Sequence, residues 1–137
     1  MANGPEQATT MAEAMGMTAE LAEAICGVAL EELEASRPDP ARVILEGLVV
    51  SNPRDWRAWG LLARAHRALG QPLAARFCAE VTGSLQPDEP AARLAQAEGL
   101  LAFPGDHGKA RELLQSVAGS PAEEGLRARA LLAAIGP

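Results

Sequence analysis

Proline sets the tightest limits on what this chain can form. Pro38, Pro40, Pro53, Pro72, Pro87, Pro90 and Pro121 recur along it, and each can open a helix but not continue one, because it lacks the N–H and clashes with the preceding turn. Between the prolines, apolar residues fall at helical spacing. In "AELAEAICGVALEELEAS", Leu21, Ile25, Val28 and Ala29 share one stripe. After "RPDP" stops this helix, Asp39 is expected to cap the next one with Pro40 at its first position. Asn52 is the expected cap of a helix from Pro53 to Leu69, with Asp55 three residues past the cap and Gly70 as the terminator. Pro72 opens a helix to about Leu85, another ends near Phe103, and "HGKARELLQSV" makes one more. Ser120, Pro121 and Glu123 form the clearest capping box, opening a last helix that Gly136 ends. The reading is all-α, with seven helices between Thr18 and Gly136; residues 1–17 are expected to be a flexible N-terminal tail or a weak extra helix.

The helices repeat. Pro53 and Pro87 lie 34 residues apart, as do Pro38 and Pro72; at the same offset Ile25 meets Trp59, Val28 meets Leu62, Ala29 meets Ala63 and Ala41 meets Ala75. Helical hairpins at this period resemble the tetratricopeptide repeat. The segment starting at Trp56 carries the pattern best, through Trp59, Leu62, Ala63, Gly70, Ala75 and Pro87; His66 stands for the usual Tyr and Ala79 for the usual Phe. The segment from Ala22 has Ser36 in place of Gly. A third repeat fits with one inserted residue, through Leu94, Ala97, Leu101, Gly105, Ala110, Leu114 and Val117. The resemblance implies a right-handed superhelix of about three hairpins (22–55, 56–89 and 91–120) plus a capping helix over 121–135, one domain spanning 18–137.

In that family the first helix of each hairpin lines a concave groove. Carried over by repeat position, the groove residues are Glu23, Cys26, Leu30, Leu33 and Glu34 from the first repeat. The second supplies Arg57, Gly60, Arg64, Arg67 and Ala68, and the third Ala92, Ala95, Gly99, Ala102 and Phe103. Small residues leave room for a peptide backbone, while Leu30, Leu33 and Phe103 add apolar surface, which suits an extended client. Those small residues also suit close helix packing. Residues 1–36 hold seven acids and no Lys or Arg, whereas 42–76 hold six arginines against Glu46 and Asp55. Glu23, Glu34 or the acidic tail are therefore expected to shield the groove arginines until a ligand arrives.

The remaining composition narrows the function. Hydrophobic residues make up 48% and charged residues 22%, which permits a packed core. A net charge of −6 argues against nucleic acid as a partner. Two cysteines without regular spacing suit a reducing cytosol, the N-terminus has no secretory-leader pattern, and no apolar stretch is long enough for membrane insertion. His66 and His107 belong to no metal-ligand cluster, and "PGDHG" lacks the strand and Lys-Ser/Thr of a phosphate loop. Cys78 is expected to be buried and inert; Cys26, at a groove position, is expected to be open to modification. The chain is expected to be a cytoplasmic non-enzyme with no cofactor and no metal.

The chain further resembles the class II chaperones of type III secretion (SycD/LcrH type). "PDEPAARLAQAEGLLAFPGDHGKARELL" is similar to that family's third repeat, "LRARALLAAIG" to its final helix, and "RALGQ" to its second-repeat loop, with Pro72 where the family has Tyr. This resemblance implies a chaperone that holds a hydrophobic translocator, a secreted client, in its groove before export. It also implies a homodimer through the N-terminal region. Two alternatives remain: a needle-subunit chaperone holding a small helical client, and an assembly scaffold outside secretion. A carboxylate clamp is disfavoured, because it wants Lys and Asn where the first repeat has Cys26 and Leu30.

Overall fold

The computed structural model describes residues 10–103, 105 and 107–136. These form α1 (Met11–Ala14), α2 (Ala19–Glu34), α3 (Pro38–Ser51), α4 (Trp56–Ala68), α5 (Pro72–Leu85), α6 (Pro90–Leu101), α7 (Gly108–Val117) and α8 (Glu123–Ile135), with no strand among the described residues. The seven helices expected beyond Thr18 are α2–α8. Helices α2/α3, α4/α5 and α6/α7 pair as hairpins, while α2, α4 and α6 also pack against one another in series. Helix α8 covers α7 and touches α6. One core cluster, including Leu45, Leu48 and Leu62, ties α2 through α5; a second, around Leu114 and Val117, ties α6 through α8.

Burial keeps the repeat in register. Ala29, Ala63 and Ala97 are each buried, and so are Cys26, Gly60 and Leu94. Both triplets run at 34-residue steps, so α6 follows α4 without an insertion. In the second helices Ala75 and Ala110, Ala79 and Leu114, and Thr82 and Val117 correspond, each 35 residues apart. The extra residue therefore lies in the loop between α6 and α7, after the third repeat's first helix rather than before it.

Helix ends follow the sequence signals closely. Gly70 takes φ 71°, with Gln71 N–H donating to His66 O at 2.9 Å. Ser36, one repeat earlier, is forced into the same left-handed conformation at φ 61°, with Arg37 N–H donating to Glu32 O at 2.8 Å. This is the paired hydrogen bonding of a helix that ends on a left-handed residue.

Three helix starts differ from expectation. Helix α3 begins at Pro38 with Arg37 preceding it, so Asp39 lies in the first turn rather than at the cap. Helix α4 begins at Trp56, where Asp55 is the cap and accepts from Ala58 N–H at 3.2 Å. The Asn52 side chain instead accepts from Arg54 N–H, and the Pro53 carbonyl is turned onto the Trp59 indole N–H at 2.7 Å. One repeat later Arg93 Nε donates to Pro87 O at the same 2.7 Å, so the side chain of the fourth repeat position fixes the turn before both α4 and α6. Helix α8 begins at Glu123, capped by Ala122 without a side-chain bond. Ser120 Oγ accepts only from Ala122 N–H, while the Ser120 carbonyl lies over Gly125, where a Cβ would overlap it.

Residues 1–9 of the expected tail fall outside the described residues. In the remainder, Thr10 and Thr18 cap α1 and α2 through their hydroxyls at 3.1 Å, and Ala12 is buried where α1 meets α3. Among the described residues no helix is long and apolar enough to cross a membrane, and no cluster could hold a metal ion.

Candidate client-binding groove

A cavity of about 370 Å³ opens on the face built by the first helices. Helix α2 contributes Cys26, Gly27 and Leu30; α4 contributes Trp56, Arg57, Gly60, Leu61 and Arg64. Thr82 reaches it from α5, Ala91, Leu94, Ala95 and Glu98 from α6, and Glu123, Glu124 and Arg127 from α8. The floor is apolar and the rim charged, which suits a client with an extended backbone and apolar side chains. Gly60 keeps the centre low: a Cβ there would meet Ala95 and Thr82 at ordinary contact distances of 3.5 and 3.6 Å.

Of the residues assigned to the groove from sequence, Cys26, Leu30, Arg57, Gly60, Arg64 and Ala95 come together here. The others lie elsewhere. Glu23, Glu34 and Ala68 are exposed outside the cavity, and Leu33 packs against the first core cluster. Ala92 is buried, and Gly99 meets α5 so closely that a Cβ would overlap the Ala79 methyl. Ala102 ends α6, and the Phe103 ring lies under the Arg76 guanidinium at 5.4 Å. The third-repeat assignments are displaced because that alignment placed the inserted residue before α6. The uninterrupted period instead brings Ala91, Leu94 and Glu98 to the groove positions, and all three line the cavity.

The groove electrostatics centre on Glu98, which is only 5% exposed. Arg67 Nη2 donates to its Oε2 at 3.1 Å, and Arg127 donates to the same oxygen through Nη2 at 2.6 Å and Nε at 3.1 Å. The bonds to Glu98 hold the Arg127 guanidinium more firmly protonated than usual. Arg67 is thus neutralised by α6 of the next hairpin, not by Glu23 or Glu34 as expected, and the clasp joins α4, α6 and α8. Arg57 lies over the Trp56 ring at 5.1 Å, a cation–π contact. Arg64 makes no ion pair with any described residue.

Both thiols are buried and held in the protonated form. Burial is the main cause that pushes both Cys26 and Cys78 from 9.0 up to about 11, with Asp55 and Glu23 adding to the shift at Cys26. Cys26 is buried in the groove floor, contrary to the exposure expected of it, while Cys78 is buried as expected. The two tryptophans divide. Trp59 packs against the core and meets Phe77 edge-to-face with centroids 6.0 Å apart, whereas Trp56 faces the cavity. Trp56, the first residue of the second repeat, lines the cavity together with Cys26 and Leu30. The contribution of α8 depends on how the last helix lies across the end of the array, which no local pattern encodes.

This architecture belongs to the class of stacked helical hairpins of the tetratricopeptide kind. No protein-family model matches the chain and no curated protein matches its sequence. Among solved structures, it is similar to the type III secretion translocator chaperone SycD of Yersinia enterocolitica. That likeness has a TM-score of 0.75 at 21% identity and covers 97% of this chain and 99% of that one. A type III secretion complex from Aeromonas hydrophila matches with a TM-score of 0.73 at 23% identity, over 92% of this chain and 87% of that one. PcrH, solved in complex with the chaperone-binding region of PopB, matches with a TM-score of 0.68 at 23% identity, over 85% and 98%.

Proposed function

We propose that this chain is a chaperone of type III secretion that holds a hydrophobic translocator in its groove before export. The observation that carries this reading is the apolar-floored cavity, lined by α2, α4, α6 and α8, on a fold shared nearly end to end with a translocator chaperone. PcrH, of the same fold, was solved with the chaperone-binding region of PopB. The client supplies an extended segment whose apolar side chains rest on Leu30, Gly60, Leu61 and Leu94. Removing those side chains from water keeps the client from aggregating or entering membranes early. The protein acts in the bacterial cytoplasm and catalyses no reaction: its thiols are buried and protonated, and the one buried carboxylate among the described residues is committed to two arginines. Exposed Met11 and Met15, on and just after α1, and Leu21 and Val28 on α2 support self-association through the N-terminal region; a strictly monomeric mass by light scattering contradicts that part.

Co-expression with the products of adjoining genes, followed by affinity purification, tests the function. The expected result is a soluble complex with a large partner that contains membrane-spanning stretches. Recovery of a small helical partner instead indicates a needle-subunit chaperone, and recovery of neither leaves a scaffold outside secretion.

A further inference from the structure

Arg64 is the one charged side chain on the groove wall whose position the protein itself does not account for. Arg67 and Arg127 share Glu98, while Arg37, Arg42, Arg76 and Arg93 each have a carboxylate within 4 Å. Arg111 and Arg129 donate to backbone carbonyls, and Arg57 lies over Trp56. Arg54 lies outside the cavity, exposed to water. Arg64 lines the cavity, is partly buried, and has no such partner among the described residues. It also sits in the middle of α4, where the helix dipole offers a cation nothing. Its neighbours on the cavity wall are Gly60 and Leu61, an apolar surround in which an ion pair is worth more than in open water.

The opposite wall has the reverse sign. Glu123 and Glu124 stand in the first turn of α8, where the helix N-terminus stabilises them, and Glu123 also feels the charge of Arg127. The cavity lining is therefore polarised, cationic along α4 and, with Arg127 taken up by Glu98, anionic along α8. Arg57 is taken up by the face of the Trp56 ring, so the unmet charge is at Arg64.

We infer that Arg64 receives a carboxylate of the client: the groove takes an extended apolar segment with Asp or Glu beside the residue seated over Gly60. This rests on the groove being the client site. It adds a charge rule to an otherwise apolar selection, and the acids of α8 enforce it by repelling a client carboxylate placed on their side.

Short synthetic peptides test it. They share one Leu in a Val, Ser and Pro background, differ only in Asp, Asn or Lys beside the Leu, and are titrated by fluorescence anisotropy. The wild-type chain is expected to bind the Asp peptide about tenfold more tightly than the Asn peptide at low salt. Arg64→Gln is expected to erase that preference and Arg64→Glu to shift it to the Lys peptide, with melting temperatures unchanged. Equal binding of Asp and Asn peptides, with the Leu still required, overturns the inference and leaves the groove reading standing. An Asp preference that persists in Arg64→Gln overturns the assignment to Arg64. No binding by any peptide overturns the groove reading and this inference together.

Discussion

Ser36 holds a left-handed backbone, φ 61°, where the equivalent position of the next repeat has Gly70 at φ 71°. A left-handed L-residue costs roughly 1 kcal/mol that glycine does not pay. Ser36→Gly is therefore expected to raise stability by about 1 kcal/mol, read as a higher urea midpoint with an unchanged slope. The buried thiols act in the other direction with pH. Unfolded, Cys26 and Cys78 release their protons above about pH 9, whereas folded they keep them to about 11. Between those values the unfolded chain binds fewer protons, so stability falls as pH rises, by at most about 1.4 kcal/mol per pH unit for each thiol. Urea denaturation from pH 8 to 11 is expected to show this decline, and a Cys26→Ala/Cys78→Ala chain to flatten it.

Helices α4, α6 and α8 meet at the Glu98 clasp, which binds the capping helix to the middle of the array. Arg67 and Arg127 remain 33% and 46% exposed, while the Glu98 side chain is 6% exposed, so the partners do not contribute equally. Removing both arginines with Arg67→Ala/Arg127→Ala strands a buried carboxylate and is expected to cost about 3 kcal/mol. Glu98→Gln returns two half-exposed arginines to water and is expected to cost about 1 kcal/mol. Equal losses by denaturant titration contradict the account. The elements themselves were largely legible. The span of α5, Pro72–Leu85, and the stop at Gly70 follow from strong local chemistry. The starts of α4 and α8 were not, because the Pro53 and Ser120 carbonyls are claimed by Trp59 and by the surface above Gly125, contacts made only once the helices are folded.

Across the whole molecule the 34-residue period is what made the architecture readable, and the same period explains the errors in the groove. Repeat position identified Cys26, Gly60 and Arg64, because α2 and α4 hold the register without interruption. It placed Ala95 in the cavity but shifted Ala92 and Gly99 by one, since Ala92 is buried and Gly99 meets α5, whereas Ala91 and Glu98 line the cavity. It gave no hint of Glu123, Glu124 or Arg127, whose place depends on the angle at which α8 closes the array. The central claim is that a client lies in this cavity, and Gly60 offers the most direct access to it. A Cβ there meets Ala95 at 3.5 Å, an ordinary contact, and Gly60→Leu is expected to fill the groove floor beyond it. The decisive measurement is the soluble fraction of the co-expressed translocator with wild-type chain and with Gly60→Leu, at matched melting temperature. The account predicts a soluble translocator with wild type and an aggregated one with Gly60→Leu; a translocator kept equally soluble by both would contradict it.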